Sequence, residues 1–234
     1  MATRNTVELL LNALAKVGIT NTYVQAGIVG VVGTESNYVP KTEKGYSNTP
    51  NDRIRLIFGS KLSKLSDQQL TALKANDQAF FQTVYGGQYG NNKPGDGFLY
   101  RGRGFNGITF KENYARYGKA IGVDLVSDPD KLNDPTIAAA ANAVYFSDTL
   151  KTAAANGSLK KTVGIDTLAQ VKDFETGVKV ALQANAGFGK NTNTTFYQGV
   201  YQKALAQLDK VYDLLQTKSG KAVAISLAAT LFFF

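Results

Sequence analysis

Residues 21–46 read NTYVQAGIVGVVGTESNYVPKTEKGY. A helix start falls near Asn21–Thr22, and Val24, Ile28, Val31 and Val32 then recur at helical spacing, which predicts a helix with an apolar face. That helix runs into Thr34–Glu35, so Glu35 is expected near a helix C-terminus backed by apolar residues. Residues 37–51 are polar and hold Pro40, Gly45 and Pro50, so they read as loop. Glu43 lies in that loop between Lys41 and Lys44.

The helical pattern extends in both directions. Upstream, Asn5 and Glu8 have capping-box spacing, and Val7, Leu10, Leu11 and Leu14 follow at helical intervals up to Gly18. Downstream, Ser66 and Gln69 cap a short helix, and Asn76 or Asp77 opens another with Phe80, Phe81, Val84 and Tyr85 on its buried side. The densest glycine stretch, YGGQYGNNKPGDGFLYRGRGF (85–105), suits tight turns and a cleft wall. Thr109 and Glu112 form a T-x-x-E box before a further helix. Asn133-Asp134-Pro135 is a helix start with proline at the first helical position. Helices are also predicted near Thr167–Asn185, stopping at Gly187, and over roughly Thr195 to Leu215. Strand signals are weak; the one expectation is a small hairpin near Phe98–Arg103. The chain therefore reads as mainly α, with long functional loops.

Composition narrows the chemistry. The 234 residues are 44% hydrophobic and 19% charged, which suits a globular chain with its own core. With 0 Cys, disulfides, thiolate metal sites and cysteine nucleophiles are excluded. With 0 His, the commonest general base, the usual transition-metal ligand and every histidine-containing triad are excluded. Acid–base chemistry falls to Asp, Glu, Lys or Tyr, and paired carboxylates lead by elimination. No cofactor and no metal are expected. The 26 basic against 18 acidic residues leave a net charge of +8, which favours anionic partners. The basic residues are scattered and no nucleic-acid motif is present, so a solvated basic surface is expected rather than a nucleic-acid site.

Paired carboxylates suit glycoside hydrolysis, in which a protonated acid donates to the leaving oxygen while an ionised partner activates water or attacks. The acid prefers an apolar setting that raises its pKa. Glu35 follows the apolar run AGIVGVVG, whereas Glu43 has two lysine neighbours that favour the ionised form. On spacing alone, such a pair is more often two surface charges than a catalytic couple.

A resemblance assigns the roles. TESNYVPKTEKGY, then YGGQYGN, GDG and YRGRGFNGITFKENY, then GVDLVSDPDKL and NAGFGK occur in the order found in glycoside hydrolase family 19, which includes chitinases and the peptidoglycan-cleaving endolysins of bacteriophages and bacteria. The resemblance spans roughly residues 20–205, with YRGRGF…T…NY its most specific block. It implies a lysozyme-like, two-lobed helical domain over residues 1–217 with at most a small β-hairpin, and an inverting mechanism without metal. By position Glu35 matches the family's general acid and Glu43 its general base, ahead of Tyr46. Thr109 matches the hydroxyl that holds the attacking water, with capping of the next helix as its other role. Arg103 is expected to orient carboxylates or to serve a scaffold ion pair. Asn113 and Asn185 match sugar-contacting and cleft-lining asparagines, with helix-end capping the alternative for Asn185. Tyr85 and Tyr100 are either sugar-stacking rings or core. Three positions depart from the family: Thr34 replaces the frequent His before the first Glu, Gly107 replaces a Gln, and Phe110 replaces a Gly. The lost Gln bears on substrate binding more than on catalysis.

The resemblance implies a glycosidase acting on peptidoglycan glycan strands, with a chitinase or a weakened wall-binding phage protein as alternatives. The start MATRNTVELLL lacks the features of a secretory signal and reads as a helix. A cytoplasmic origin followed by action at the cell wall or periplasm is therefore expected, or a place on a phage particle. Residues 218–234 form a hinge and an apolar tail, of which AVAISLAATLFFF (222–234) is shorter than the roughly 20 residues of a membrane-spanning helix. The tail reads as a terminal element docked on the core or on a virion subunit, or as a membrane-associating segment.

Overall fold

The computed structural model describes residues 2–188, 199, 202–204 and 206. Among them the secondary structure is helical, and the one β-bridge is an antiparallel pairing of Arg103 with Ile108. No described helix is long and apolar enough to cross a membrane. The chain divides into two compact units, one formed by Met1–Val39 with the chain from Asn142 onward, the other by Pro40–Ala141.

In the first unit, α1 (Ala2–Lys16) and α2 (Thr22–Ser36) pack together, and α2 also packs along α10 (Phe174–Ala186). The α1 start differs from expectation: Asn5 lies inside the helix, and Glu8 accepts from Arg4 Nε at 3.3 Å, one turn earlier, instead of closing a capping box. Asn21 does cap α2. Its Oδ1 accepts from the amides of Tyr23 and Val24 at 3.0 and 3.1 Å, and its Nδ2 donates to Leu168 and Val171 carbonyls, both at 3.0 Å. One side chain thus starts a helix and ties it to a segment near residue 170.

Every residue of α2 from Val24 to Gly33 is buried, so this helix is covered all round. Its contact with α10 is backbone on backbone: a Cβ on Gly27 would stand 2.2 Å from the Gly177 carbonyl oxygen, and one on Gly177 2.1 Å from that of Tyr23. The α10 start is also later than predicted. Thr167 pairs with Gln170 around a short 3-10 turn, and Asp173 is the true cap, accepting from the Thr176 amide at 2.7 Å. Its end at Gly187 is where the sequence put it. α8 (Pro135–Ala155) starts at Asp134 as expected, and α9 (Ser158–Val163) follows. The helix predicted near Thr195–Leu215 lies mostly, and the 218–234 segment wholly, outside the described residues.

The second unit contains α3 (Asn51–Phe58), α4 (Asp67–Lys74), α5 (Asp77–Tyr85), the single-turn α6 (Asp96–Leu99) and α7 (Lys111–Ile121). Its core gathers Ile54, Leu62, Leu70, Phe80, Phe81 and Val84, with Tyr46, Phe58 and Tyr85 packed against them. The α4 capping box and the Asn76 cap of α5 form as predicted. α3 was not predicted: its Ile54 is buried while Leu56 and Ile57 are exposed, which blurs the periodicity. Two further expectations are corrected. The hairpin near Phe98–Arg103 is instead α6 leading into a tight turn closed by the Arg103–Ile108 pair. Thr109 is not the cap of α7; Phe110 occupies that position with φ 75° and no side-chain cap. The first helical amides are met from a distant turn, Lys111 N–H by Asn91 Oδ1 at 3.0 Å and Glu112 N–H by the Tyr89 carbonyl at 3.1 Å.

Candidate active site

Glu43 is the most elaborately held carboxylate in the second unit. The loop that carries it is pinned: Lys41 N–H donates to the Gly104 carbonyl at 3.2 Å, Glu43 N–H to that of Gly102 at 2.8 Å, and Asn133 Nδ2 to Thr42 Oγ1 at 2.8 Å. Arg101 Nε adds a 3.3 Å bond to the Glu43 carbonyl, its guanidinium lying 4.0 Å from the Phe98 ring centre. The half-buried Glu43 side chain then accepts from Tyr46 hydroxyl at 2.7 Å, from Tyr85 hydroxyl at 3.0 and 3.2 Å, and from Gly102 N–H at 3.1 Å. All three partners donate, the pattern that an acceptor-only, ionised carboxylate completes. Tyrosine hydroxyls and a backbone amide thus surround the carboxylate that the sequence had set beside Lys41 and Lys44.

The two tyrosines are themselves constrained. Burial, together with the neighbouring Glu43 charge, pushes both hydroxyls well above their ordinary pKa of 10.0, so they remain donors. Tyr85 stacks on Phe81 (5.8 Å, 17°) and meets Phe58 and Phe110 edge-on. Its surroundings are therefore aromatic neighbours, and its polar end serves Glu43. Of the two roles weighed for it, the ring takes the packed one.

Gly102 is glycine for a reason of space. A Cβ there would stand 3.1 Å from Glu43 Oε2 and 3.5 Å from Gly107 Cα. Glu43 and the turn before Thr109 therefore flank the same glycine. Gly107 has φ 67°, backbone that disfavours a residue with a Cβ, so the turn itself accounts for the absence of Gln. Thr109 hydroxyl donates to the Gly107 carbonyl at 2.8 Å, which leaves its lone pairs to accept from a water. Asn113 Nδ2 donates to the Thr109 carbonyl at 2.8 Å; one N–H of the residue expected to touch sugar thus fixes that backbone.

Two other expectations resolve as scaffold. Arg103 is 3% exposed and bonds Asp130 Oδ1 at 2.8 Å, the Leu99 carbonyl at 2.7 Å and Tyr114 hydroxyl at 3.0 Å. Tyr100 is also 3% exposed, edge-on to Tyr114, with its hydroxyl on the Val126 carbonyl at 3.2 Å. A ring so buried offers no face to a sugar, so of the two roles weighed Tyr100 takes the core one.

In the first unit, Glu35 occupies the last turn of α2, as predicted, but it is exposed rather than desolvated. The helix is buried through Gly33 and emerges at Thr34–Glu35. Asn185 of α10, half-buried, reaches Glu35 Oε1 with its Nδ2 at 3.5 Å, while its carbonyl accepts from Tyr145 hydroxyl at 3.3 Å. The chain then turns through two left-handed residues, Asn37 (φ 51°) and Tyr38 (φ 61°). The Tyr38 ring lies against Gly33, where a Cβ would come within 2.5 Å of it.

Sequence reasoning missed the Gly102 amide and the Tyr85 hydroxyl as partners of Glu43, and Asn91 as the clasp of this region. Only Tyr46, three residues after Glu43, stood close enough to be found locally. Among the described residues no group of three or more acidic side chains is placed to hold a metal ion.

The model of glycoside hydrolase family 19, chitinase class I, matches residues 77–194, half of the chain. The chain belongs to glycoside hydrolase family 19. The match takes in Tyr85, the Gly102–Thr109 segment, Asn113 and Asn185, and begins after Glu35 and Glu43. The helical architecture is the lysozyme-like one of this family. The chain is also 28% identical over 129 residues to a glycosyl hydrolase family 19 domain-containing protein of Haemophilus influenzae, covering 53% of this chain and 62% of that relative. It thus spans less than two thirds of that family 19 relative's length.

Proposed function

We propose that the protein is an inverting glycosidase that hydrolyses β-1,4 bonds of peptidoglycan. Family membership supports the hydrolytic class, and the observation that carries the mechanism is the set of three donors converging on Glu43. In this reading Glu43 is the base: its carboxylate takes a proton from a water whose oxygen bonds to the anomeric carbon. Thr109 hydroxyl accepts the water's other hydrogen. Glu35, protonated, gives its proton to the glycosidic oxygen as the carbon–oxygen bond breaks. Attack opposite the leaving group inverts the anomeric centre, and proton exchange with solvent restores both carboxyl groups. Asn185 is a substrate-lining residue beside Glu35.

The net charge of +8 favours an anionic wall polymer over neutral chitin. The site of action on this reading is a bacterial cell wall, reached as a free endolysin or on a phage particle, with glycan strands as partner. Glu43→Gln is expected to lower release of reducing ends from purified walls by about 10²–10⁴-fold, as for loss of a general base. Proton NMR of the first product should show the inverted anomer; the retained anomer would reject the assignment.

A second reading has one observation behind it. Glu35 is exposed, whereas a general acid is usually raised in pKa by an apolar setting. A wall-binding protein with weakened turnover follows from that. It predicts wall co-sedimentation with no more reducing ends from the native chain than from Glu35→Gln.

A further inference from the structure

Tyr89 is 62% exposed although it sits on one of the most firmly tied turns of the chain. Buried Asn91 is the clasp: its Nδ2 donates to the Tyr85 carbonyl at 3.0 Å, its Oδ1 accepts from Lys111 N–H at 3.0 Å, and its carbonyl accepts from Gly87 N–H at 2.8 Å. The Tyr89 carbonyl itself accepts from Glu112 N–H at 3.1 Å. Its ring centre lies 4.9 Å from that of Phe110 at 55°, and Phe110 lies 5.4 Å from Tyr85 at 81°. Tyr85 in turn donates to Glu43. An aromatic series therefore leads from an exposed ring to the carboxylate.

Both outer rings are carried on backbone that favours glycine. Tyr89 has φ 45° and Phe110 φ 75°, conformations strained for residues with a Cβ. Neither ring belongs to the buried cluster of this unit. Strained backbone of this kind clusters at ligand-binding sites, and a ring held on a tied turn is preorganised for binding.

We propose that Tyr89, positioned by its tilted contact with Phe110, is a stacking platform for one pyranose ring of a β-1,4-linked N-acetylhexosamine strand, a subsite adjoining Glu43. The apolar C–H face of such a sugar carries the partial positive charge that the negative face of an aromatic ring attracts. A ring already immobilised loses little entropy on binding. The subsite rests on the glycosidase reading given above, but its test reads binding separately from turnover.

The chain contains 0 Trp, so Tyr89→Trp keeps a large ring and introduces a single indole. Combined with Glu43→Gln to block turnover, this protein is titrated with peptide-free peptidoglycan strands and, in parallel, with a soluble chitin oligomer. A saturable change in indole emission with either sugar is expected. A response to chitin alone retains the platform and moves the substrate. In the active protein, Tyr89→Ala is expected to raise KM about fivefold with kcat unchanged, the size of one aromatic contact. Phe110→Gly, which removes the strain with the ring, should raise KM in the same way without lowering Tm. Unchanged KM in Tyr89→Ala, or a silent indole at strand concentrations that saturate wall co-sedimentation, overturns the platform. Emission change in a protein whose native form releases no reducing ends upholds the platform and rejects the hydrolase reading; release with a silent indole does the reverse.

Discussion

Glu43 shows how a single side chain is prepared by neighbours scattered through the sequence. Tyr46, Tyr85 and Gly102 each donate to it, and a hydrogen bond to a charged group contributes about 1.5–3 kcal/mol. Tyr85→Phe is therefore expected to lower kcat about tenfold with KM little changed, measured on solubilised glycan strands. Gly102→Ala places a methyl 3.1 Å from Glu43 Oε2; because only the carboxylate must shift, activity should fall while Tm stays near the parent value. Buried tyrosines, Tyr46 and Tyr85 among them, govern alkaline stability. Burial pushes the Tyr38 hydroxyl up to about 12, and among the described residues that hydroxyl has no hydrogen-bond partner. Burial also raises the Tyr114 hydroxyl to about 12, against an ordinary 10.0. A folded value above the unfolded one means that the folded state keeps its proton longer. The stabilisation is full below pH 10 and is lost as pH rises through 12. Tyr38→Phe should lessen that alkaline decline in Tm, the other buried tyrosines keeping their share, and, by removing a buried hydroxyl, stabilise the fold by about 1 kcal/mol.

Elements meet here through glycines and borrowed caps. The α2–α10 crossing depends on Gly27 and Gly177 facing each other with no room for a Cβ. Gly27→Ala is expected to destabilise by about 3 kcal/mol, seen as a lowered denaturation midpoint, because both opposing atoms are backbone and neither helix can yield alone. The α7 terminus is a second case. T-x-x-E spacing was legible in the sequence, yet the backbone reverses at Phe110, and the amides are capped by Asn91 and the Tyr89 carbonyl. Local spacing proposes a cap; a distant acceptor already in position takes its place.

For the molecule as a whole, charge and connectivity are the relevant quantities. The first unit draws on both Met1–Val39 and the chain from Asn142 onward, while Pro40–Ala141 forms the second, so the first needs segments far apart in sequence. The net charge of +8 predicts that wall binding weakens with salt, since the screening length falls from about 10 Å at 0.1 M to about 3 Å at 1 M. Co-sedimentation with purified walls across a NaCl series measures this; binding unchanged at high salt would remove charge as the basis for preferring peptidoglycan.

By itself, the sequence determined the helical class, the starts of α2, α4, α5 and α8, the position of Glu35 at the end of α2 and of Glu43 in a loop, and, with its ordered motifs, the family. These depend on residues within a turn or two of each other: side-chain caps, apolar spacing, proline and glycine. Only tertiary structure decided what those residues experience. Glu43 owes two of its three donors to residues 42 and 59 positions away. Tyr100 and Arg103 became scaffold once buried, Glu35 emerged into solvent where α2 leaves the core, and Tyr89 stayed exposed on a turn held by Asn91. Burial and long-range hydrogen bonding depend on which segments meet, and no local pattern along the chain carries that information.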